Sequence, residues 1–440
     1  MKLIKNILRN IFFFIIKLNF FSFIISWVIY KIIIINNKNF KPNRKINILA
    51  LSSYRFRGDL KILQKVEEIN VIILPIRIQY FLFSKHSESI IKKNFLYKKK
   101  NEPDYDYEKD LNKIFDSLLN LSLKKFNINM SLSASLTYLQ DSIYFNFLRS
   151  KYIKVVINTR EYVGIQKKQM EYFDNYLNKF NLFEPDLINC QNESTKNIYK
   201  KKINNEFSKI ISLGTLRMDK FIDKIKESEK FSNNQKVRKK IVFFSFLRNV
   251  GLYYLEDGTC LGSNDEEGLN NFFKNVHNIL INFAKNNLEY DVHIKPKMGG
   301  HFIDEIKNAW KIENTDPIPE NCRISVDDDP QDLILNADLV ISFNSSTILE
   351  SGLRNIPVLI PAFDEAVKEY KDYFDFTVYE EGFDVVKNKD MFPNLIKDRL
   401  NQNRISQDQM KIRYELFENY LSNLNGNVTS NFVKELNDLL

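Results

Sequence analysis

The sequence predicts an α/β protein built from two parallel-sheet domains, and three observations carry that prediction. Short apolar runs recur along the chain and are mostly separated by helix-length amphipathic stretches, the alternation expected of βαβ units. The series occurs twice, on either side of the polar segment "KESEKFSNNQKVRKK" at residues 226–240. With 440 residues, 44% of them hydrophobic, the chain exceeds what one core usually holds. The expected division is a hydrophobic segment over 1–36, a first domain over 37–225, a second over 240–384 and C-terminal helices over 385–440.

The first series opens with "INILALSS" (46–53), an apolar run ending in small hydroxyl residues, followed by the polar turn and helical periodicity of "YRFRGDLKILQKV". Further strand-like runs follow at 71–76, 128–135, 152–161, 186–190 and 210–214. Residues 85–115 are rich in Lys, Asp and Glu and read as a charged, solvated insertion of loop and helix. The second series starts with "KIVFFSFLR" (240–248) and continues through a helix near 268–287, a strand at 290–297, a helix near "FIDEIKNAW" and a strand at 323–326. It ends in "DLVISFNSSTILESGLRNIPVLIP", a strand, polar turn, helix and strand packed together before an amphipathic, helical tail.

Residues 11–35, "IFFFIIKLNFFSFIISWVIYKIIII", are apolar except for Lys17, Asn19, Lys31 and a few hydroxyls. At 1.5 Å per residue the run is long enough to cross about 30 Å of hydrocarbon. Its two lysines suit either a tilted span with snorkelling ammonium groups or a helix lying in the interface. Basic residues after it (Lys31, Lys38, Lys41, Arg44, Lys45) outnumber those before it (Lys2, Lys5, Arg9), which sets the main body on the cytoplasmic face of the inner membrane.

The net charge of +9 comes from lysines dispersed among Asn and Ile, with no basic-aromatic module, so no nucleic-acid partner is expected. Three cysteines far apart, without CxxC spacing, and four histidines without HExxH give no disulfide framework and no metal signature.

Open parallel sheets bind ligands beyond the carboxyl ends of their strands, so the chemistry belongs on loops after strands. In the second domain, Ser345, Ser346 and Thr347 stand where a buried strand hands over to a helix. They suit a helix cap or, with unpaired backbone N–H groups and the positive dipole end, a phosphate. Glu350, within that helix, suits a ribose or sugar hydroxyl, or complements the dipole. In "HIKPKMGGH", Lys295 and Lys297 alternate on a strand end, and Gly299 and Gly300 permit close backbone approach. This arrangement suits a phosphate or a lysine-protected edge. The long loop from 247 to 268 carries Arg248, a further diphosphate contact, and Asp257, a base candidate. In the first domain the corresponding turns hold Arg55, Arg57 and Asp59, and Arg160 and Glu161. Glu161, closing a buried strand, is the preferred base, with Asp257 and Asp59 behind it.

The order of "PDLINCQNESTKNIYKKK", "KIISLGTLRMDKF", "DVHIKPK" and "ADLVISFNSSTILESGLRNIPVLIP" resembles that of bacterial surface-carbohydrate biosynthesis proteins, capsule and O-antigen enzymes among them, with the two-domain GT-B glycosyltransferase fold. CDP-glycerol glycerophosphotransferases and non-hydrolysing UDP-N-acetylglucosamine 2-epimerases share this serial pattern. The resemblance covers roughly residues 150–365. It implies two Rossmann-like domains facing a cleft, the first on the acceptor side and the second holding the nucleotide donor. It also implies nucleotide-diphosphate contacts at Lys295, Lys297, Ser345, Ser346 and Thr347, and a hydroxyl contact at Glu350. This chain departs from several of those families in carrying Pro296-Lys297 where they carry His-Pro. "EDG" at Glu256–Gly258 is similar to the acidic motif of some bacterial sialyltransferases, although there it lies in the first domain.

These features imply a glycosyltransferase moving a sugar from a nucleotide-sugar donor to a surface polysaccharide or lipid-linked acceptor. No tightly bound cofactor and no metal are expected. The alternatives are a CDP-polyol phosphotransferase of the glycerophosphotransferase type and a membrane-tethered protein that kept the fold without catalysis.

Overall fold

The computed structural model describes residues 22–56, 58–79, 107–160, 164–203, 206–230, 238–252, 268–297, 300–368, 370–402 and 405–440. Two six-stranded sheets organise them, every pairing parallel. The first contains β1 (Ile46–Ala50), β2 (Ile69–Ile73), β3 (Met130–Ser133), β4 (Lys154–Asn158), β5 (Leu187–Cys190) and β6 (Lys209–Ser212), in spatial order β2-β1-β3-β4-β5-β6. The second contains β7 (Lys239–Phe244), β8 (Tyr290–Lys295), β9 (Cys322–Ile324), β10 (Leu339–Ser342), β11 (Val358–Pro361) and β12 (Asp384–Val386), in order β12-β11-β10-β7-β8-β9. In each sheet the first strand is internal and the order in which strands are added reverses beside it, between β1 and β3 and between β7 and β10. These are the topological switch points where open sheets bind ligands. This is the pair of Rossmann-like domains that a GT-B-type fold requires.

The strands are apolar throughout because both faces are covered. Ile46, Ile48 and Ala50 of β1 enter one core cluster, whereas Leu49 enters another on the opposite face. Against the Leu49 face pack α1 (Ser22–Asn36), α3 (Tyr107–Lys125) and α4 (Leu139–Ser150). Helix α3 begins inside the stretch that reads as a solvated insertion, yet Leu111 and Phe115 are buried. Its apolar stripe belongs to the core, and the lysine-rich neighbourhood masks it in the sequence. Residues 85–106, the rest of that stretch, lie outside the described residues.

Helix α1 presents Ile25, Ile29 and Ile33 to the core and leaves Phe23, Ile24, Trp27, Ile32 and Ile35 exposed. Residues 11–21 of the apolar run lie outside the described residues, and no described helix is long and apolar enough to cross a membrane. Asn37, just after α1, fixes the helix to the sheet. Its amide donates to the Ile73 carbonyl at 3.1 Å and its Oδ1 accepts from Ile73 N–H at 2.8 Å.

The second core is aromatic around its switch point, with Phe246, Phe272, Phe343 and Phe374 in successive ring contacts of 5.0, 4.6 and 4.7 Å. The chain after 385 divides. Helices α12 (Phe392–Asn401) and α13 (Gln407–Tyr420) pack on the second domain, where fully buried Arg413 donates to the carbonyls of Gly382 and Ile356. Helix α14 (Val428–Asp438) crosses back, and its Val428, Phe432 and Leu436 join the cluster under β1. Asp219, in α7 (Arg217–Lys230), which follows the last strand of the first sheet, accepts from Val428 N–H and Thr429 N–H and so caps the returning helix.

Candidate functional site

Loops leaving the carboxyl ends of both sheets meet. At the second switch point β10 ends in Ser342, and Asn344 takes a left-handed conformation (φ +44°), tolerable for a short polar side chain. Its Oδ1 accepts from Asp375 N–H at 3.0 Å. The turn leads into α11 (Thr347–Gly352), with a row of hydroxyls on one side. Ser342 and Thr347 oxygens lie 2.8 Å apart, and Thr347 Oγ1 donates to Ser345 Oγ at 3.0 Å. Ser346 occupies the cap position without a side-chain cap bond, and Ser345 accepts from Thr347 N–H only at 3.4 Å. The hydroxyls are therefore not consumed by capping, and Ser345, Ser346 and Thr347 remain partly exposed.

Glu350 is buried, and its Oε1 accepts from Ser346 Oγ at 3.3 Å and from Arg217 Nη2 at 3.1 Å. Arg217 begins α7, after the last strand of the first sheet, so this ion pair joins the strand-end loops of the two domains. The backbone N–H of Arg217 donates to Asp59 Oδ1 at 3.0 Å, and Asn158 Nδ2 donates to Asp59 Oδ2 at 3.2 Å. Asp59 and Ser346, candidates from opposite domains, are thus connected through Arg217 and Glu350. Arg217 carries no periodic or motif signal. Only its place just after a strand end marks it.

The other candidates are placed differently. Lys295 is buried, and its Nζ donates to the Val326 carbonyl at 2.6 Å. Desolvation lowers its pKa, opposed by Asp328, Asp327 and Asp329 nearby. Register puts it level with Ser342, two strands away across Phe244, on the order of 10 Å at the usual strand spacing. Lys297 is exposed. Gly300 starts α9 (His301–Glu313) in an ordinary helical conformation, and a Cβ there would meet nothing within 4 Å. Arg248 follows β7 with its guanidinium carbon 5.4 Å from the Phe273 ring centroid. Glu161, Asp257 and Gly299 lie outside the described residues.

Beside this switch point the fully buried His277 links two groups that sequence reading passed over. Its Nδ1 lies 2.6 Å from the Phe273 carbonyl, which can only accept, so the proton sits on Nδ1. Nε2 then accepts from Ser245 Oγ at 2.8 Å, and burial pushes the imidazole down to about 4. The Ser245 proton is therefore directed at the imidazole.

At the first switch point, Arg55, Asp59, Asn158, Arg160 and Thr215 line a small depression. Behind it Asp141 accepts from Ser52 Oγ at 2.5 Å and Ser133 Oγ at 2.6 Å, tying the ends of β1 and β3 together. Burial pushes the Asp141 carboxyl up to about 6, against those hydroxyls and the charge of Arg55. A further inter-domain contact lies at Asp375, whose Oδ1 accepts from Ile165 N–H and Gln166 N–H, both at 2.9 Å, ahead of α5 (Lys167–Asn178). Among the described residues no group of three or more His, Cys, Asp or Glu is close enough to hold a metal ion.

No protein-family model and no curated protein matches the chain. Among solved structures it is similar to UDP-GlcNAc 2-epimerase from Neisseria meningitidis bound to UDP-GlcNAc, at 14% identity and a TM-score of 0.48 over 89% of this chain and 99% of that one. It is similar to a glycosyltransferase from Rickettsia africae at 13% identity and a TM-score of 0.43 over 90% and 99%. The wall teichoic acid polymerase TagF is 12% identical, at a TM-score of 0.49 over 92% of this chain and 90% of that one. With TM-scores below 0.5, these likenesses assign no substrate and no residue role.

Proposed function

We propose that this chain is a transferase that takes a sugar from a nucleotide-sugar donor and passes it to a surface glycan or lipid-linked acceptor. The observation that carries this reading is the Arg217–Glu350 pair, which brings the hydroxyl-lined switch point of one sheet against the polar switch point of the other. Two half-sites, one on each domain, suit a reaction between two substrates.

The donor diphosphate lies against Ser345, Ser346 and Thr347, with Arg248 and Lys297 adding charge from neighbouring strand ends. Stabilisation of the leaving diphosphate by oriented N–H, hydroxyl and cationic groups is the electrostatic term that makes transfer fast. Glu350, engaged by Arg217, positions the domains and the Ser346 hydroxyl rather than receiving a ribose hydroxyl directly. The general base that takes the acceptor proton is drawn from Glu161, Asp257 and Asp59. Of these, Asp59 already accepts from Arg217 N–H and Asn158.

The exposed apolar face of α1, with Lys31 Nζ 5.2 Å from the Trp27 ring centroid, supports seating the first domain on the cytoplasmic face of a membrane. An amphiphilic acceptor then reaches the cleft without leaving the surface.

Calorimetric titration of the full chain with UDP-, GDP-, CMP- and CDP-linked donors, followed by donor-hydrolysis assays, tests the reading. Binding of one nucleotide class, lost in Ser345→Ala/Ser346→Ala, is expected. Absence of binding and turnover across the panel removes the transferase reading.

A further inference from the structure

The strand β1 ends at Ser52, whose φ of +43° turns the chain into a short 3-10 helix at Ser53–Phe56 and sets Arg55 at the depression. The Arg55 guanidinium carbon lies 4.8 Å from the ring centroid of Tyr54 and 4.8 Å from that of Tyr138. Tyr138 also accepts, through its hydroxyl, from Arg160 Nη1 at 3.2 Å. One tyrosine therefore holds two guanidinium groups at a single site, where their like charges raise the local positive potential.

The nearby carboxylates accept their hydrogen bonds from other groups. Asp141 accepts from Ser52 and Ser133, and Asp59 from Arg217 N–H and Asn158. The Arg55 side chain makes no hydrogen bond or ion pair among the described residues, and its Nε is shielded from solvent with no acceptor. A guanidinium flanked by rings keeps its in-plane N–H edge for a ligand, and that fork matches the paired oxygens of a phosphate or carboxylate. A shielded N–H without an acceptor marks a place that an acceptor atom completes.

We propose that this first-domain depression seats an oxyanion of the acceptor, a phosphate or carboxylate, held edge-on by Arg55 with Arg160 adding charge. The acceptor is therefore an acidic glycan or a phosphorylated carrier. The word acceptor rests on the transferase reading of the first domain, whereas the anion site itself rests on Arg55, Tyr138 and Arg160.

Equilibrium dialysis of the full chain with radiolabelled inorganic phosphate tests it, with acetate and glucuronate as competitors and UDP and CDP in separate arms. Saturable binding of one phosphate per chain is expected, weakened at least tenfold in Arg55→Met. Arg55→Lys, which keeps the charge and loses the fork, weakens it less. Displacement by the carboxylates but not by the nucleotides supports a first-domain oxyanion site and points to an acidic sugar. Displacement by neither points to a phosphorylated carrier. Unchanged binding in folded Arg55→Met and Arg55→Lys, displacement of phosphate by UDP or CDP, or no saturable binding of phosphate or glucuronate overturns the proposal. Nucleotide binding is read in the same dialysis, so failure of the transferase reading and failure of the oxyanion site give different results.

Discussion

Arg217 and Glu350, 133 positions apart in the chain, form an ion pair of 3.1 Å that joins the strand-end loops of two separate sheets. Their side chains are only 11% and 4% exposed, so neither charge is compensated by water. Removing one partner of such a pair leaves the other stranded, typically at about 3–5 kcal/mol. Glu350→Ala is expected to lose about 3 kcal/mol in denaturant unfolding. The double change with Arg217→Met should lose less than the sum of the single changes. Strictly additive losses would show that the contact couples nothing.

Asp375 gives a pH-dependent test of the second inter-domain contact. Burial pushes its carboxyl up to about 6, against the two backbone N–H groups it accepts. The unfolded value is about 3.9. Folding therefore takes up a proton between these values, and the associated stability is fully present below pH 4 and lost as pH rises through 6. Both N–H groups bond to Oδ1, which an asparagine reproduces. Relative to Asp375→Asn, the wild-type chain should lose about 2–3 kcal/mol between pH 4 and 7 and stay level above it. A pH-independent difference in thermal or urea unfolding would remove this assignment.

The hydroxyl row after β10 should act on ligand rather than on stability. Ser346 makes no side-chain cap bond and donates to Glu350 only at 3.3 Å, so Ser345→Ala/Ser346→Ala is expected to cost about 1 kcal/mol of stability. Nucleotide affinity should fall about tenfold, the loss of one or two hydrogen bonds to a charged group. A large stability loss with unchanged nucleotide affinity would make the hydroxyls purely structural.

The two faces of α1 should respond oppositely to charge. Trp27→Asp and Phe23→Asp alter exposed positions and are expected to abolish flotation with anionic vesicles while the melting temperature stays within about 2 °C. Ile29→Asp places a carboxylate in the core and is expected to unfold the first domain. Flotation that survives both outer-face changes would mean that lipid does not cover this face.

The strands around both switch points are legible in the sequence because buried parallel strands read as unbroken apolar runs, as in "INILA" and "KIVFF". Asp384–Val386 is not, since three residues carry no period and the stretch borders a helical tail. Helix α3 is hidden because the lysine-rich segment before it dominates the local composition. The hydroxyls at 345–347 and Glu350 stand out as polar residues where a buried strand ends. Arg217, Tyr138 and Asp375 do not, since each acquires its role from a partner on another element. Pairings over such distances leave no spacing in one sequence.

The crossing of Val428–Asp438 back to the first sheet has a consequence for the order of synthesis. On the ribosome, β1 to β6 emerge early, but the cluster around Ile46, Ile48 and Leu60 remains only partly covered until Val428, Phe432 and Leu436 have been made. The first domain is therefore finished last, after the whole of the second. During that interval its half-built face is where a nascent chain would stick to a neighbour or recruit a chaperone.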